Sequence, residues 1–180
     1  MYLNPALVGS TGLTRLGVNF RNQWPALDQT FIAYTAYVDH YEERWNSGFG
    51  LILQGANESF TETTWNEVGL AYSYRVQLST NSFIQAGMQG SFIARDAFFG
   101  RVVLGSQLDI NRGSIDYSGS GYAGESQMRD LDAHAGLMYY GRKAWLGASM
   151  AHLLQPEKNY QTNNPRPQKI LLNGNELHEF

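Results

Sequence analysis

Between Glu67 and Leu78 the chain alternates without a break. Val68, Leu70, Tyr72, Tyr74, Val76 and Leu78 fall on one parity, and Glu67, Gly69, Ala71, Ser73, Arg75 and Gln77 on the other. Successive side chains of an extended backbone point to opposite faces, so this run is a strand with one apolar and one polar face. It is longer than the five or six residues usual in soluble sheets, and it reaches the roughly nine to eleven that a tilted strand needs to cross a bilayer. The turn formers Ser79 to Ser82 follow, and then Ile84, Ala86, Met88, Phe92 and Ala94 alternate with Gln85, Gly87, Gln89, Ser91 and Arg95. The two runs form a hairpin. Shorter alternations begin at Leu16, Ile32, Phe49, Leu131 and Ala144, and no helical stripe competes with them.

Alternation does not say which face is inside. A membrane barrel turns its apolar parity out, whereas a soluble sandwich or lipocalin-like barrel turns it in. Composition removes other classes: with 43% hydrophobic, 13% aromatic and 16% charged residues in 180, the chain is not disordered. A net charge of −3 gives no general pull toward nucleic acid, which is not expected as a partner. The absence of cysteine excludes disulfides, thiol nucleophiles and Cys-ligated zinc, and leaves the redox compartment open. No apolar stretch is long enough for a transmembrane helix. The start Met1-Tyr2-Leu3-Asn4-Pro5 is not a signal peptide, so work outside the cytoplasm implies an export signal that this sequence lacks.

Connection lengths refine the picture. Short links at Ser79–Ser82 and Gly141–Lys143 alternate with longer ones at Asn22–Gln29 and Asn57–Thr63, as in barrels with short turns at one end and long loops at the other. With a strand over Gly100–Leu108, that order is kept by a further short strand over Ser114–Ser118, leaving Asp109–Gly113 as a turn and Gly119–Arg129 as an outer loop. The expectation is therefore an all-β, antiparallel up-and-down transmembrane β-barrel. Residues 1–180 form one domain of nine strands, an odd count that suggests the N-terminal and central part of a larger barrel. Lys169–Leu172 reads as the start of a further strand, and the terminal Leu177–Phe180 as too short for a barrel-assembly signal.

Several segments together resemble a known family. Asn4-Pro5-Ala6-Leu7-Val8-Gly9-Ser10, then Arg21-Asn22-Gln23-Trp24-Pro25, is similar to the opening of PorP/SprF outer-membrane proteins of the type IX secretion system. Gly48-Phe49-Gly50, Leu70-Ala71-Tyr72-Ser73-Tyr74, Gly87-Met88-Gln89-Gly90, Asp132 with Gly136 to Tyr140, Gly147-Ala148-Ser149 and His152-Leu153 with Pro156 continue the likeness in order. The resemblance spans about residues 4–156. It implies a bacterial outer-membrane barrel surrounded by lipid and associated with secretion, gliding motility, other type IX components and a secreted surface adhesin.

No catalytic set stands out: GxSxG, Walker A and HExxH are all missing, and neither enzyme activity nor a cofactor is expected. Asp132 and His134 share a strand face but have no third metal ligand nearby in sequence, so they read as lining residues. Glu58, Glu62 and Glu67 read as a solvated outer-loop cluster. Trp24 reads as an interfacial anchor ended by Pro25, which has no N–H to give, with partner docking as the second reading. Asn4, Pro5 and Gly9 read as a turn or a lumen brace. Arg15, Arg75, Gln77, Gln85, Gln89 and Arg95 point into the lumen, where they brace one another or line a channel. Arg21, Gln23, Tyr72, Tyr74, Gly136, His152, Leu153 and Pro156 complete the set of structural or partner-docking positions. The competing functions are a pore or hydrophobic-ligand transporter, and a soluble lipocalin-like binder.

Overall fold

The structure, a computed structural model, describes residues 3–26, 30–59, 62–98, 108–109, 114–115, 125–142, 144–156 and 165–176. Ten strands follow in chain order: β1 (Arg15–Gln23), β2 (Phe31–Glu42), β3 (Ser47–Glu58), β4 (Thr63–Ser79), β5 (Ser82–Phe98), β6 (Leu108–Asp109), β7 (Ser114–Ile115), β8 (Glu125–Tyr140), β9 (Ala144–Ala151) and β10 (Lys169–Glu176). Eight of them make one up-and-down antiparallel sheet in the order β1-β2-β3-β4-β5-β8-β9-β10. The hairpin expected from Glu67 to Arg95 is its centre, paired from Thr64↔Asp96 to Ser79↔Ser82.

The nine-strand expectation is corrected. β5 pairs directly with β8 from Phe83↔Tyr140 to Phe98↔Glu125, which leaves no place in the sheet for strands over Gly100–Leu108 and Ser114–Ser118. Residues 99–107, 110–113 and 116–124 lie outside the described residues; β6 and β7 pair only with each other, as a stub hairpin within the β5–β8 connection. The reason is competitive. A glycine- and serine-broken run cannot match the long continuous ladder that β5 and β8 offer each other. The outer loop expected at Gly119–Arg129 gives up Glu125–Arg129 to β8, and Leu177–Phe180 lies outside the described residues. Lys169–Leu172 does begin a strand, β10.

The alternation of connections survives this change. Short links over 43–46, 80–81 and 141–143 lie at one end of the sheet, and the connections over 24–30, 59–62, 99–124 and 152–168 at the other. Glu43–Trp45 is a single 3-10 turn, ended by Asn46 in the left-handed region (φ 49°).

Solvent exposure gives the sense of the faces. Leu16, Val18, Leu70 and Leu172 are each 69–76% exposed, whereas Asp39, Gln85 and Asp132 on the other parity are at most 2% exposed. A soluble sandwich or lipocalin would have it the other way round. Aromatic side chains stand at both ends of the outward face. Trp24 and Phe98 lie toward the long connections, and Trp45, Tyr72, Tyr74 and Tyr139 toward the short turns. Such belts mark the two membrane–water interfaces. The sheet is membrane-spanning, with its polar side inward. Among the described residues no pairing joins β1 to β10, and in hydrocarbon both edges require hydrogen-bonding partners.

Leu70 sits in the outward row Val38–Leu51–Leu70, between the two belts. Leu70→Arg is therefore expected to destabilise the sheet by about 2–4 kcal/mol in urea unfolding from lipid vesicles. Gln77→Arg, on the polar parity near a turn, is expected to change it by about 0.5 kcal/mol or less. Equal effects would contradict the assignment of faces.

Candidate functional site

One inward row of the sheet is made almost entirely of small residues. Strand register places Tyr41 beside Gly48, Gly48 beside Ser73, Ser73 beside Gly87, Gly87 beside Gly136 and Gly136 beside Ser149, crossing β2, β3, β4, β5, β8 and β9. With no bulk along it, the row is a groove running across the strands. Residues Leu3 to Ser10 lie in it.

The segment is shaped for that path. Asn4 is extended and caps a single 3-10 turn over Pro5–Leu7, its Oδ1 accepting from the Ala6 N–H at 2.9 Å. Pro5 opens the turn, where its missing N–H costs nothing. Gly9 adopts φ +66°, and a Cβ there would also stand 2.9 Å from the Gly48 Cα. Both constraints select glycine.

The floor is fitted just as closely. A Cβ on Gly136 would come 1.9 Å from Asn4 Oδ1, one on Gly87 2.4 Å from the Ala6 nitrogen, and one on Gly48 2.5 Å from the Val8 carbonyl oxygen. Between these contacts run hydrogen bonds. Ser149 Oγ donates to the Leu3 carbonyl (2.8 Å), and Asn4 Nδ2 donates to the carbonyls of Ala148 (3.2 Å) and Leu137 (3.4 Å). Ser73 Oγ (2.7 Å) and Gln85 Nε2 (2.6 Å) both donate to the Val8 carbonyl. The buried Val8 side chain packs with Ile52 and Ala71 in a small apolar cluster, flanked by Tyr37.

Charge fixes the far end of the segment. The Gly9 N–H donates to Asp39 Oδ2 (2.7 Å), and Arg15 pairs with Asp39 through Nε (2.9 Å) while its Nη2 reaches the Leu7 carbonyl (3.3 Å). Arg75 Nη2 donates to the carbonyls of Gly9 (3.1 Å) and Ser10 (3.2 Å) and to Gln85 Oε1 (3.2 Å). Its guanidinium lies 4.3 Å from the Tyr41 ring centre and 4.5 Å from that of Phe83, a favourable position over the two π-faces. Of the expected lumen residues, Arg15, Arg75 and Gln85 thus brace this segment, and Gln89 bonds Ser91 at 3.0 Å. Gln77 instead donates to the nearby Ser79 carbonyl.

A second polar cluster lies farther along the inner face. Asp132 Oδ2 is 3.1 Å from His134 Nε2 and 2.6 Å from His152 Nδ1, and the Asp132 side chain is fully buried. Sequence spacing paired the first two and missed His152, which arrives because it adopts φ 60° just after β9 and folds back over β8. Its neighbour is tied down, the Leu153 N–H donating to the Ala133 carbonyl at 2.9 Å. These three donors lie within 4.8 Å of one another, a set able to hold a metal ion.

The remaining candidate positions divide by place. Asn4, Pro5, Gly9 and Gly136 belong to the groove, and His152 and Leu153 to the Asp132 cluster. The Pro156 carbonyl accepts from the Arg166 N–H at 2.9 Å. Burial lowers the Arg166 guanidinium from its ordinary pKa, with Glu67 acting in the opposite sense. Glu67 is itself buried and accepts from Gln54 Nε2 at 2.8 Å, so it is no part of a solvated cluster with Glu58 and Glu62. Arg21, Gln23 and Trp24 end β1 at the long-connection end, with Trp24 exposed and at φ 55°. Tyr72 and Tyr74 face outward with the lipid-facing row, and Tyr72 bonds Ser47 Oγ at 2.9 Å.

Comparison with known proteins gives one result. The family model described as the type IX secretion system membrane protein PorP/SprF matches residues 1–178, essentially the whole chain. Neither the curated proteins nor the solved structures yield a match.

The groove's fit is directly testable. Gly136→Ala places a methyl group against Asn4 Oδ1, whereas Gly90→Ala, with nothing within 4 Å of its Cβ position, meets open space. Gly136→Ala is expected to release Asn4–Gly9, with each buried hydrogen bond left unmade costing about 1–3 kcal/mol, and to speed amide hydrogen exchange there at least tenfold. Gly90→Ala is expected to leave exchange unchanged. Equal protection in the two variants would contradict the seating of the segment.

Proposed function

The chain belongs to the PorP/SprF family of type IX secretion system membrane proteins, and on that premise we propose that it is a non-enzymatic outer-membrane barrel protein that holds or displays an exported surface protein. The observation that carries this reading is the filled inner face. Leu3–Ser10 lies across β2, β3, β4, β5, β8 and β9, and Arg15, Arg75 and Gln85, three of the six side chains that could line a channel, donate to its carbonyls. A barrel braced in this way is suited to holding something at its rim. The buried inner face is also mainly polar, which offers little to a hydrophobic cargo.

In this reading the outward rows of Leu, Val, Phe and Tyr anchor the protein in outer-membrane lipid. Partner contact falls to the long-connection end, where exposed Trp24 follows β1 and the β5–β8 connection is the longest. The partners are other type IX components and a secreted adhesin, and gliding is the associated surface behaviour. Scaffolding requires no bond making.

Two measurements separate scaffold from pore. Trp24→Ala, and separately a deletion of residues 119–124, are expected to lower retention of the exported protein on whole cells several-fold while the barrel still inserts. The unaltered protein is expected to show no steady conductance in planar bilayers. Full retention in both variants, or a stable open conductance, would remove the proposal.

A further inference from the structure

We infer that Asp132, His134 and His152 form a binding site for a borderline divalent transition-metal ion of the Zn2+ type on the inner face of the sheet. Two imidazole nitrogens and one carboxylate oxygen lie within 4.8 Å of one another, with Asp132 Oδ2 as the shared corner at 3.1 and 2.6 Å from the two rings. Donors around one tetrahedral ion with bonds of about 2.0–2.2 Å stand about 3.4 Å apart. Changes in separation of a few tenths of an ångström to about 1.4 Å therefore suffice to admit the ion. The cation would replace the protons that now bridge the carboxylate and the rings.

The site is held as a ligand site needs to be. Asp132 is fixed by its buried position and by the Ala133 N–H, which donates to Oδ1 at 2.8 Å. His134 projects from the middle of β8 on the same face. His152 is set by a left-handed backbone at φ 60°, closed by the Leu153 bond to Ala133 and by the Gln155 N–H donating to the His152 carbonyl at 3.1 Å. A non-glycine residue in this region is strained, so the surrounding contacts are what keep the ring turned onto Asp132.

Room exists for a fourth ligand. A cavity of about 310 Å³ opens beside the two imidazoles, lined also by Leu3, Pro5, Ser149 and Lys169. Three protein donors with one open position is the arrangement of an exchangeable metal centre. The donor chemistry selects the metal class: imidazole with carboxylate suits Zn2+, Ni2+ or Cu2+, whereas Ca2+ and Mg2+ call for oxygen-only sets. Leu3 and Pro5 in the cavity wall place the ion beside the segment that lies in the groove, and the ion would link β8 to the residue that follows β9.

The test uses the full chain, folded in detergent micelles and freed of metal with a chelator. Titration with Co2+ alone is expected to give the visible absorption of a four-coordinate ion at one equivalent, which Zn2+ then displaces. His134→Ala and His152→Ala are each expected to weaken binding by more than the roughly tenfold that even an outer-shell change costs. His40→Ala, whose ring bonds Thr14 just before β1, is expected to have no effect. Heat-modifiable gel migration reports folding of each variant. If a variant fails to fold, Zn2+ protection of the unaltered chain decides, since an ion bound only to the folded state raises the urea midpoint. The absence of a Co2+ band, an equal band in the folded His134 and His152 variants, or an unchanged midpoint would each overturn the site.

Discussion

Polar groups buried on the inner face of the sheet are out of reach of bulk water, and the structure meets that constraint by laying its own N-terminal segment along the face. The Val8 carbonyl shows the principle most simply: it is buried, and it receives one hydrogen bond from Ser73 on β4 and another from Gln85 on β5. Each such bond contributes only about 0.5–1.5 kcal/mol net, but leaving its groups buried and unmade costs about 1–3 kcal/mol. The segment and the sheet are therefore obligatory partners. Asp39 extends the same logic to charge, since its fully buried carboxylate is met by Arg15 and by the Gly9 N–H.

The groove explains why small residues recur where they do. Gly48, Ser73, Gly87, Gly136 and Ser149 are far apart in sequence, yet register aligns them into one path beneath Leu3–Gly9. The outward neighbours of these positions, such as Phe49, Tyr72, Met88 and Leu137, remain large and apolar. Close packing of a backbone segment on one side and lipid contact on the other thus come from the same strands. A segment bonded to so many strands also couples them, so movement of one end of the sheet is felt along the whole row. That stiffness suits a scaffold better than a gate.

Much of the sheet was legible because alternation reports faces directly. The hairpin of β4 and β5 and the strand from Leu131 to Tyr139 follow from parity and turn formers alone, and so does the grouping of Arg15, Arg75 and Gln85 on the polar parity of their strands. The direction of the faces was not legible, because a period of two is the same whether lipid or core lies outside. Cross-strand register was hidden for a similar reason: the motif pieces were visible in the sequence, but their alignment into a groove exists only after pairing. The run from Gly100 to Ser118 misled because the order of connections is kept equally well by two strands there or by none. His152 was missed as a partner of Asp132 since nothing in its neighbourhood announces a left-handed residue. A histidine just past a strand end, with Leu-Leu-Gln-Pro following it, was the only signal.

The seating of the N-terminal segment is the centre of this account, and a chain without cysteine allows it to be measured cleanly in the membrane. Ser149 Oγ lies 2.8 Å from the Leu3 carbonyl, across the sheet from where β1 begins. The double variant Leu3→Cys with Ser149→Cys should cross-link under mild oxidation in intact cell envelopes, while Leu3→Cys with Gln54→Cys, on β3 away from this contact, should not. Cross-linking of Leu3 to Ser149 and not to Gln54 is the predicted result. No link to Ser149, or links of equal yield to both positions, would show that the segment does not lie in the groove.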